Sequence, residues 1–447
     1  MSSLVTVAPE AASAAGVTLT WRRSARSSAR LVSVPMKVLE GVRVLEVAQW
    51  AFVPSAGAVL ADWGATVLKV EHPVHGDNMR GLMTSALMGG GDELPINFMW
   101  ELPNRGKRSL GIDLSTDDGR ELVLKLAASC DVFLTSFLPA ARRKLGIDLA
   151  DIKAVNPRIV YARGSGQGPL GDEAEKGGYD AATFWARGGV AMATTAAHAK
   201  APAGPPGAGY GDLTSGMTLA GGVAAALFHR ERTGEATTVD VSLLGMAMWA
   251  MAPGITAASV YGPSPVVPMD VPDKPLRGPS GNPLVNSFCT KDRRFLTTIF
   301  LQPHRHYDEL VTTMGRPDLV TDERFSDPER RAENSVALLE ELDAVFATKT
   351  LAEWTEILRP IEGVWAPYQT ASELLDDVQA QQNGYLPTID TNRGPLVSVL
   401  SPVVFGEDAP SHLPPAPELG EATELELVEQ GVEWADLDRY KESGTIT

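Results

Sequence analysis

Val42-Arg-Val-Leu-Glu-Val-Ala-Gln-Trp-Ala-Phe-Val-Pro-Ser-Ala-Gly-Ala-Val-Leu-Ala-Asp-Trp-Gly-Ala-Thr-Val-Leu-Lys-Val70 reads as a strand, a helix and a second strand. Val42–Ala48 and Thr66–Val70 are short runs rich in β-branched residues, whereas Pro54–Trp63 carries small and apolar residues at helical spacing. The alternation repeats beyond this unit. Ser109–Ile112 is strand-like, Ser115-Thr116 caps a helix through Ala128 with Leu122, Val123, Leu126 and Ala127 on one face, and Val132–Thr135 and Ile159–Arg163 are further strands. Strands alternating with helices predict an α/β fold: a Rossmann-like large domain whose parallel sheet is covered on both faces. Ligands of such sheets bind beyond the carboxyl ends of the strands, which puts Trp50, Ala51 and Phe52 at the expected crevice, with core packing the alternative for the two aromatics. The loop Gln49–Pro54 lacks Gly-x-Gly-x-x-Gly. A match at Gly166-Gln-Gly-Pro-Leu-Gly171 contains a proline and runs into an acidic stretch rather than an apolar helix, so a dinucleotide site is not supported.

The residue most suited to chemistry is Asp212, in Gly211-Asp-Leu-Thr-Ser-Gly216. It opens an apolar helix whose body, Leu213–Phe228, is expected to be buried, and a helix N-terminus offers free amide groups and a positive dipole end. That environment suits an anionic nucleophile and its acyl adducts. The competing reading is an ordinary N-cap, a position that aspartate favours.

Composition excludes several classes. With 44% hydrophobic and 21% charged residues the chain reads as globular, and its 447 residues suffice for two domains. A net charge of −17 without a long basic run argues against nucleic acid as a partner. Cys130 and Cys289 are the only cysteines, which removes a disulfide framework and a thiolate metal site, and a reducing cytoplasm is the default expectation. His304-Arg305-His306 is short of a third ligand and reads as a solvated helix start, so no metal is expected. Val241–Val260 is interrupted by Pro253-Gly254, so no membrane span is expected. Trp185, Met246, Met248, Trp249 and Met251 read as helical core, with an apolar pocket lining as the alternative. Residues 1–35, rich in Ser and Ala with four arginines, are expected to be a disordered or non-native extension, with Met36 as an alternative start.

Several stretches resemble family III CoA-transferases, the CaiB/BaiF group, in that family's order. They are Leu39-Glu-Gly-Val-Arg-Val-Leu-Glu-Val, Gly64-Ala-Thr-Val-Leu-Lys-Val-Glu-His-Pro, Asn104-Arg-Gly-Lys-Arg-Ser-Leu, Asn156-Pro-Arg-Ile-Val-Tyr-Ala-Arg, Gly211-Asp-Leu-Thr-Ser-Gly-Met, and Ala224 to Gly234. Gly281-Asn-Pro-Leu-Val-Asn-Ser-Phe, Ala366-Pro-Tyr-Gln-Thr and Leu419-Gly-Glu extend the likeness almost to the end of the chain. The resemblance implies an enzyme that moves CoA from an acyl-CoA to a carboxylic acid, with CoA as substrate and no tightly bound cofactor. It implies that Asp212 forms an aspartyl anhydride and then an aspartyl-CoA thioester. It also implies a glycine-containing loop, with Gly278 and Gly281, over the site, Gly211 and Asp180 beside it, and two chains interlocked as a homodimer. The CoA contacts it implies are Trp50, Ala51, Phe52, His72, Arg105, Lys107, Arg108, Ser136, Phe137, Arg143 and Lys144. The same fold also supports α-methylacyl-CoA racemisation, which needs a His and an Asp, the Asp in a Gly-His-Asp motif. The corresponding place reads Gly178-Tyr179-Asp180, and no histidine lies between Cys130 and Asp180, so the proton shuttle lacks one arm. A non-catalytic acyl-CoA-binding protein is the reading from outside the enzymes.

The composition shifts after residue 253. Pro253–Pro283 is rich in proline and glycine, as expected of an extended connection; Asn286–Leu301 reads as strands and Pro303–Pro360 as helices. The expected division is a large domain over 36–253, a smaller α+β domain with its long linkers over 254–365, and a segment 366–447 that returns to the large domain. In that segment Ala371–Gln382 and Glu421–Tyr440 read as helical and Leu396–Val404 as strand.

Overall fold

The computed structural model describes residues 36–82, 96–196, 199–262, 279–406 and 409–447, so the expectations for residues 1–35 and for Gly278 fall outside the described residues. Six parallel strands, β1 (Arg43–Val47), β2 (Thr66–Glu71), β3 (Arg108–Gly111), β4 (Val132–Thr135), β5 (Val160–Ser165) and β6 (Thr238–Ser242), lie in the order β3-β2-β1-β4-β5-β6. Leu45 sits opposite Leu68 on one side and Phe133 on the other. The α/β expectation holds. β6 was not foreseen because Asp240 interrupts its apolar run; that carboxylate instead receives two hydrogen bonds, each 2.7 Å, from Arg163 on β5.

Alternate side chains feed two cores. Leu45 and Val47 pack with the helix Asp117–Ala128 and with Leu427, Leu437 and Tyr440 from the C-terminal segment. Val44 faces the other layer, formed by α1 (Phe52–Asp62) and the long helix Tyr210–Thr233. These two helices approach closely because of Gly216, where a Cβ would lie 1.9 Å from Ser55 Oγ. The C-terminal segment is fixed to the sheet by the buried Glu426, which pairs with Arg43 at 3.0 Å and with Arg108. Its helical stretch is two helices, Thr423–Glu429 and Trp434–Glu442, because Gly431 adopts φ 77° between them.

A separate core, centred on Trp354, Phe346 and Phe288, draws all its residues from 284–361. Its antiparallel strands are β7 (Val285–Cys289), β8 (Phe295–Ile299) and β9 (Trp365–Pro367). A third small sheet joins β10 (Thr388–Thr391), β11 (Gly394–Val397) and β12 (His412–Leu413); only β11 overlaps an expected strand. Two further expectations are corrected. Ala252–Tyr261 is helical rather than extended, since Pro253 falls in the first turn, where a helix needs no amide hydrogen. The body of Tyr210–Thr233 buries one face only, leaving Phe228 exposed. Among the described residues no single helix is long and apolar enough to cross a membrane; the pair Leu243–Ala250 and Ala252–Tyr261 meets the length and composition only together, across a 69° bend.

Candidate functional site

The strand order reverses between β1 and β4, so the loops leaving their carboxyl ends diverge and open a crevice. The two loops are stitched at the base, where Gln49 N donates to Ser136 Oγ at 3.0 Å. Trp50 then adopts φ 71°, a left-handed conformation rare for a bulky side chain. Its indole meets Tyr179 edge to face at 5.9 Å. Trp50, Phe52, Ser136, Phe137, Tyr179, Leu243 and Asp212 line one cavity of about 350 Å³.

Asp212 does not cap its helix. Gly209, at φ 72°, holds the N-cap position, and Asp212 lies in the first turn without a capping hydrogen bond. Its neighbour is a buried carboxylate: Asp180 Oδ1 accepts from Gly211 N at 3.0 Å. Gly211 is the only residue type that fits between them, since a Cβ there would lie 2.3 Å from Phe184 Cγ and 2.4 Å from Asp180 Oδ1. Burial and the adjacent Asp180 charge push the Asp212 carboxyl from 3.8 up to about 7. Burial also raises Asp180, against the pull of the Gly211 and Tyr210 amides. Asp180 opens the π-helical turn Ala181–Arg187, an irregularity that turns Phe184 and Trp185 toward Tyr210.

The remaining candidates separate clearly. Phe137 and Ser136 also line an adjoining cleft of about 240 Å³ that contains Arg143, which pairs with Glu175 at 2.7 Å. His72 lies with Gln49 and Phe137 around a further cleft of about 190 Å³; its Nδ1 accepts from Val74 N at 3.1 Å and its ring stacks on His75. Ala51 is buried among Met79, Met99 and Trp100 and does not line the Asp212 cavity. Lys144 is exposed on the same helix as Arg143. Gly281 is exposed in the turn before β7 and is not part of the cavity wall.

Arg105 and Arg108 lie apart from the Asp212 cavity. Arg105 is buried, with Nε and Nη2 bonded to Asp62 at 3.1 and 2.7 Å at the far end of α1, and Arg108 begins β3 and pairs with Glu426. Both therefore lie at the amino end of the sheet, opposite Asp212. Lys107 is fully buried against Glu46. A basic cluster in sequence is indistinguishable from phosphate ligands until its acidic partners, distant in the chain, are known. Met248 and Trp249 are exposed and belong neither to the core nor to the cavity. Among the described residues no cluster of His, Cys, Asp and Glu could hold a metal ion.

Sequence reasoning missed the glycine wall. Gly164, Gly166, Gly177 and Gly178 line the cavity, and a Cβ at Gly164 would lie 2.2 Å from Val53 Cγ2, one at Gly166 2.7 Å from Gly178 Cα. Gly166, the first glycine of the stretch set aside as a dinucleotide motif, thus permits its backbone to cross that of Gly178 in the wall of the Asp212 cavity.

The model of CoA-transferase family III matches residues 39–423, and the chain belongs to this family. It is 30% identical over 416 residues to the (R)-2-hydroxy-4-methylpentanoate CoA-transferase of Clostridioides difficile, covering 92% of this chain and 99% of that one. It is 32% identical over 414 residues to the cinnamoyl-CoA:phenyllactate CoA-transferase of Clostridium sporogenes, covering 92% and 97%. Among solved structures it is similar to Rv3272 of Mycobacterium tuberculosis, with a TM-score of 0.72 at 28% identity over 88% of this chain and 99% of that one. A CaiB/BaiF family protein of Brucella suis matches with a TM-score of 0.72 at 27% identity, over 89% and 100%. The chain is a CoA-transferase, and CoA thioesters are its substrates.

Proposed function

We propose that the chain carries CoA from an acyl-CoA to a carboxylic acid through covalent intermediates on Asp212. The observation that carries this reading is a carboxylate at a helix N-terminus, opening onto an aromatic and glycine-walled cavity at the strand-order reversal. The ionised Asp212 attacks the thioester carbonyl; the C–S bond breaks, giving a mixed anhydride and CoA thiolate. The thiolate attacks the aspartyl carbonyl, releasing the donor acid and leaving an aspartyl-CoA thioester. The acceptor carboxylate opens that thioester to a second anhydride, and the thiolate takes the acceptor acyl group, regenerating Asp212. Ser136, Phe137, His72 and Arg143, in the adjoining clefts, and Trp50 and Phe52 receive CoA, while Asp180 and Gly211 support the nucleophile.

The anhydride must be kept from water, which is the role assigned to the loop containing Gly278 and Gly281. The reading includes the interlocked homodimer and the division into 36–253, 254–365 and 366–447. A dimer is supported by apolar side chains left exposed along one stretch of helices, Phe228, Trp249, Val260 and Tyr261 among them. A cytoplasmic setting completes the reading.

The test is to incubate the protein with a panel of acyl-CoA donors that includes cinnamoyl-CoA, with phenyllactate among the acceptors, trap with hydroxylamine or borohydride, and map the modified residue by mass spectrometry. A donor-dependent mark on Asp212 is expected. No mark with any donor, together with α-proton exchange in deuterated water, would favour racemisation instead.

The same trapping reports pH dependence. Only the ionised carboxylate attacks, so adduct formation is expected to rise with pH through about 7 and to fall away below it. Asp180→Asn keeps an acceptor for Gly211 N but removes the neighbouring charge, and should move this limb to lower pH. Burial remains, so the limb stays above the ordinary aspartate range. A limb unchanged in Asp180→Asn would remove Asp180 as a cause.

A further inference from the structure

The loop between β1 and α1, which carries Trp50 into the cavity and leads into Phe52 at the start of α1, rests on four fully buried ionisable side chains that the reaction above does not use. Lys69 Nζ lies 2.8 Å from Asp77 Oδ2 and 3.0 Å from Glu46 Oε1, and Lys107 Nζ lies 2.7 Å from Glu46 Oε2. Two lysines face two carboxylates, and burial pulls Lys107 down to about 7 against the attraction of Glu46. The desolvation cost of such buried ion pairs can exceed their mutual attraction, so the cluster is weak evidence of a stabilising role.

The hydrogen bonds left over from the pairing converge on one short backbone stretch. Lys69 donates to Ala48 O at 2.9 Å, Asp77 Oδ1 accepts from Trp50 N at 3.1 Å, and Lys107 donates to Pro54 O at 2.8 Å. The loop is thus gripped at its start and middle, and the first turn of α1 just beyond it, by three different side chains of the cluster. Asp77 is itself fixed, since its N–H donates to Glu71 Oε2 at 2.9 Å and its Oδ1 also accepts from Met79 N at 2.9 Å. Lys107 is steadied by Asn104 Oδ1 at 3.0 Å. Close packing of α1 on the cluster requires Gly57, where a Cβ would fall 2.0 Å from Glu46 Oε2. The residue at the middle of the grip is the one held at φ 71°, a conformation that its own side chain disfavours.

We propose that Glu46, Lys69, Asp77 and Lys107 are positioning residues that clamp the β1–α1 loop, so that the Trp50 indole is held edge-on against Tyr179 as one wall of the acyl-CoA cavity. The role assigned to the cavity rests on the reading given under Proposed function; the clamp itself does not. Asp77 is the decisive member because it alone holds the amide of Trp50. Asparagine at this position keeps an oxygen acceptor for that amide, whereas alanine removes it.

The full chain labelled with 5-fluorotryptophan provides the first readout, with the Trp50 resonance assigned through Trp50→Phe. Asp77→Ala is expected to displace the Trp50 resonance, and Asp77→Asn to return it close to its original position. A Trp50 resonance unmoved by Asp77→Ala would overturn the clamp. Should Asp77→Ala not fold, the paired change Lys69→Met with Asp77→Ala removes one charge of each sign and takes its place under the same criterion. The second readout is kinetic: Asp77→Ala should raise KM for the acyl-CoA donor about tenfold with kcat changed much less. In a Trp50→Ala background, adding Asp77→Ala should raise KM no further, because both act through one wall. Additive effects would overturn the assignment. Absence of transfer by the unaltered protein would count against the proposed function, while the fluorine signal would still decide the clamp.

Discussion

Replacing Asp212 by asparagine is expected to lower CoA transfer by about 10³-fold or more, because the amide cannot form the anhydride that every later step needs. The same change should make the fold more stable at alkaline pH. The Asp212 carboxyl, raised to about 7 by burial and by Asp180, holds its proton more tightly in the folded chain than in the unfolded one, where a value near 3.9 applies. The folded state is therefore penalised fully above pH 7 and progressively less as the pH falls toward 4. Asparagine removes that penalty. Since Asp212 is partly open to the cavity, a gain of order 1–2 kcal/mol at pH 8 is expected after allowing for screening by solvent, vanishing near pH 4. Urea unfolding of both proteins at pH 8 and pH 4 measures it. A loss of activity accompanied by lost stability at both pH values would mean that the substitution damages the fold rather than the chemistry.

The place of Asp212 in the first turn of a helix was legible in the sequence, and its surroundings only in part. A charged residue at the mouth of an apolar helix is a local pattern, and so is the strand-helix-strand run from Val42 to Val70. The acidity of Asp212, by contrast, depends on Asp180 and on burial by elements distant in the chain. Distance in sequence also hides the acidic partners of the cations. Arg105 finds Asp62, Arg108 finds Glu426 and Lys107 finds Glu46, and none of these pairings leaves a trace in the Asn104–Leu110 stretch itself. The β6 edge strand was hidden for a related reason, since Asp240 breaks the apolar pattern until Arg163 is seen beside it. In the C-terminal segment the helical stretch Glu421–Tyr440 could be read locally, but the small sheet, of strands four residues long or less, carries too short a period to be read.

Gly211→Ala should show how much of the site is geometry rather than charge. A methyl group there would lie 2.3 Å from Phe184 Cγ and 2.4 Å from Asp180 Oδ1, both far inside contact distance. Phe184 is fully packed and Asp180 is held by the amide of Gly211 itself, so relief requires the helix start and the π-helical turn to separate. That overpacking costs about 1–3 kcal/mol, and a displacement on the order of 1 Å at a reacting group costs about 10²-fold in rate. Gly221→Ala on the same helix supplies the control. Nothing lies within 4 Å of a Cβ at Gly221, so there alanine should stabilise the chain by about 0.5–1 kcal/mol through helix propensity and leave transfer unchanged. The difference between the two variants, measured by thermal unfolding and by initial rate, isolates the packing between Gly211, Phe184 and Asp180 from the general effect of removing a helical glycine. Equal behaviour of the two variants would mean that Asp212 tolerates movement of its helix start, and that the carboxylate pair need not be held at its observed separation for the reaction to proceed.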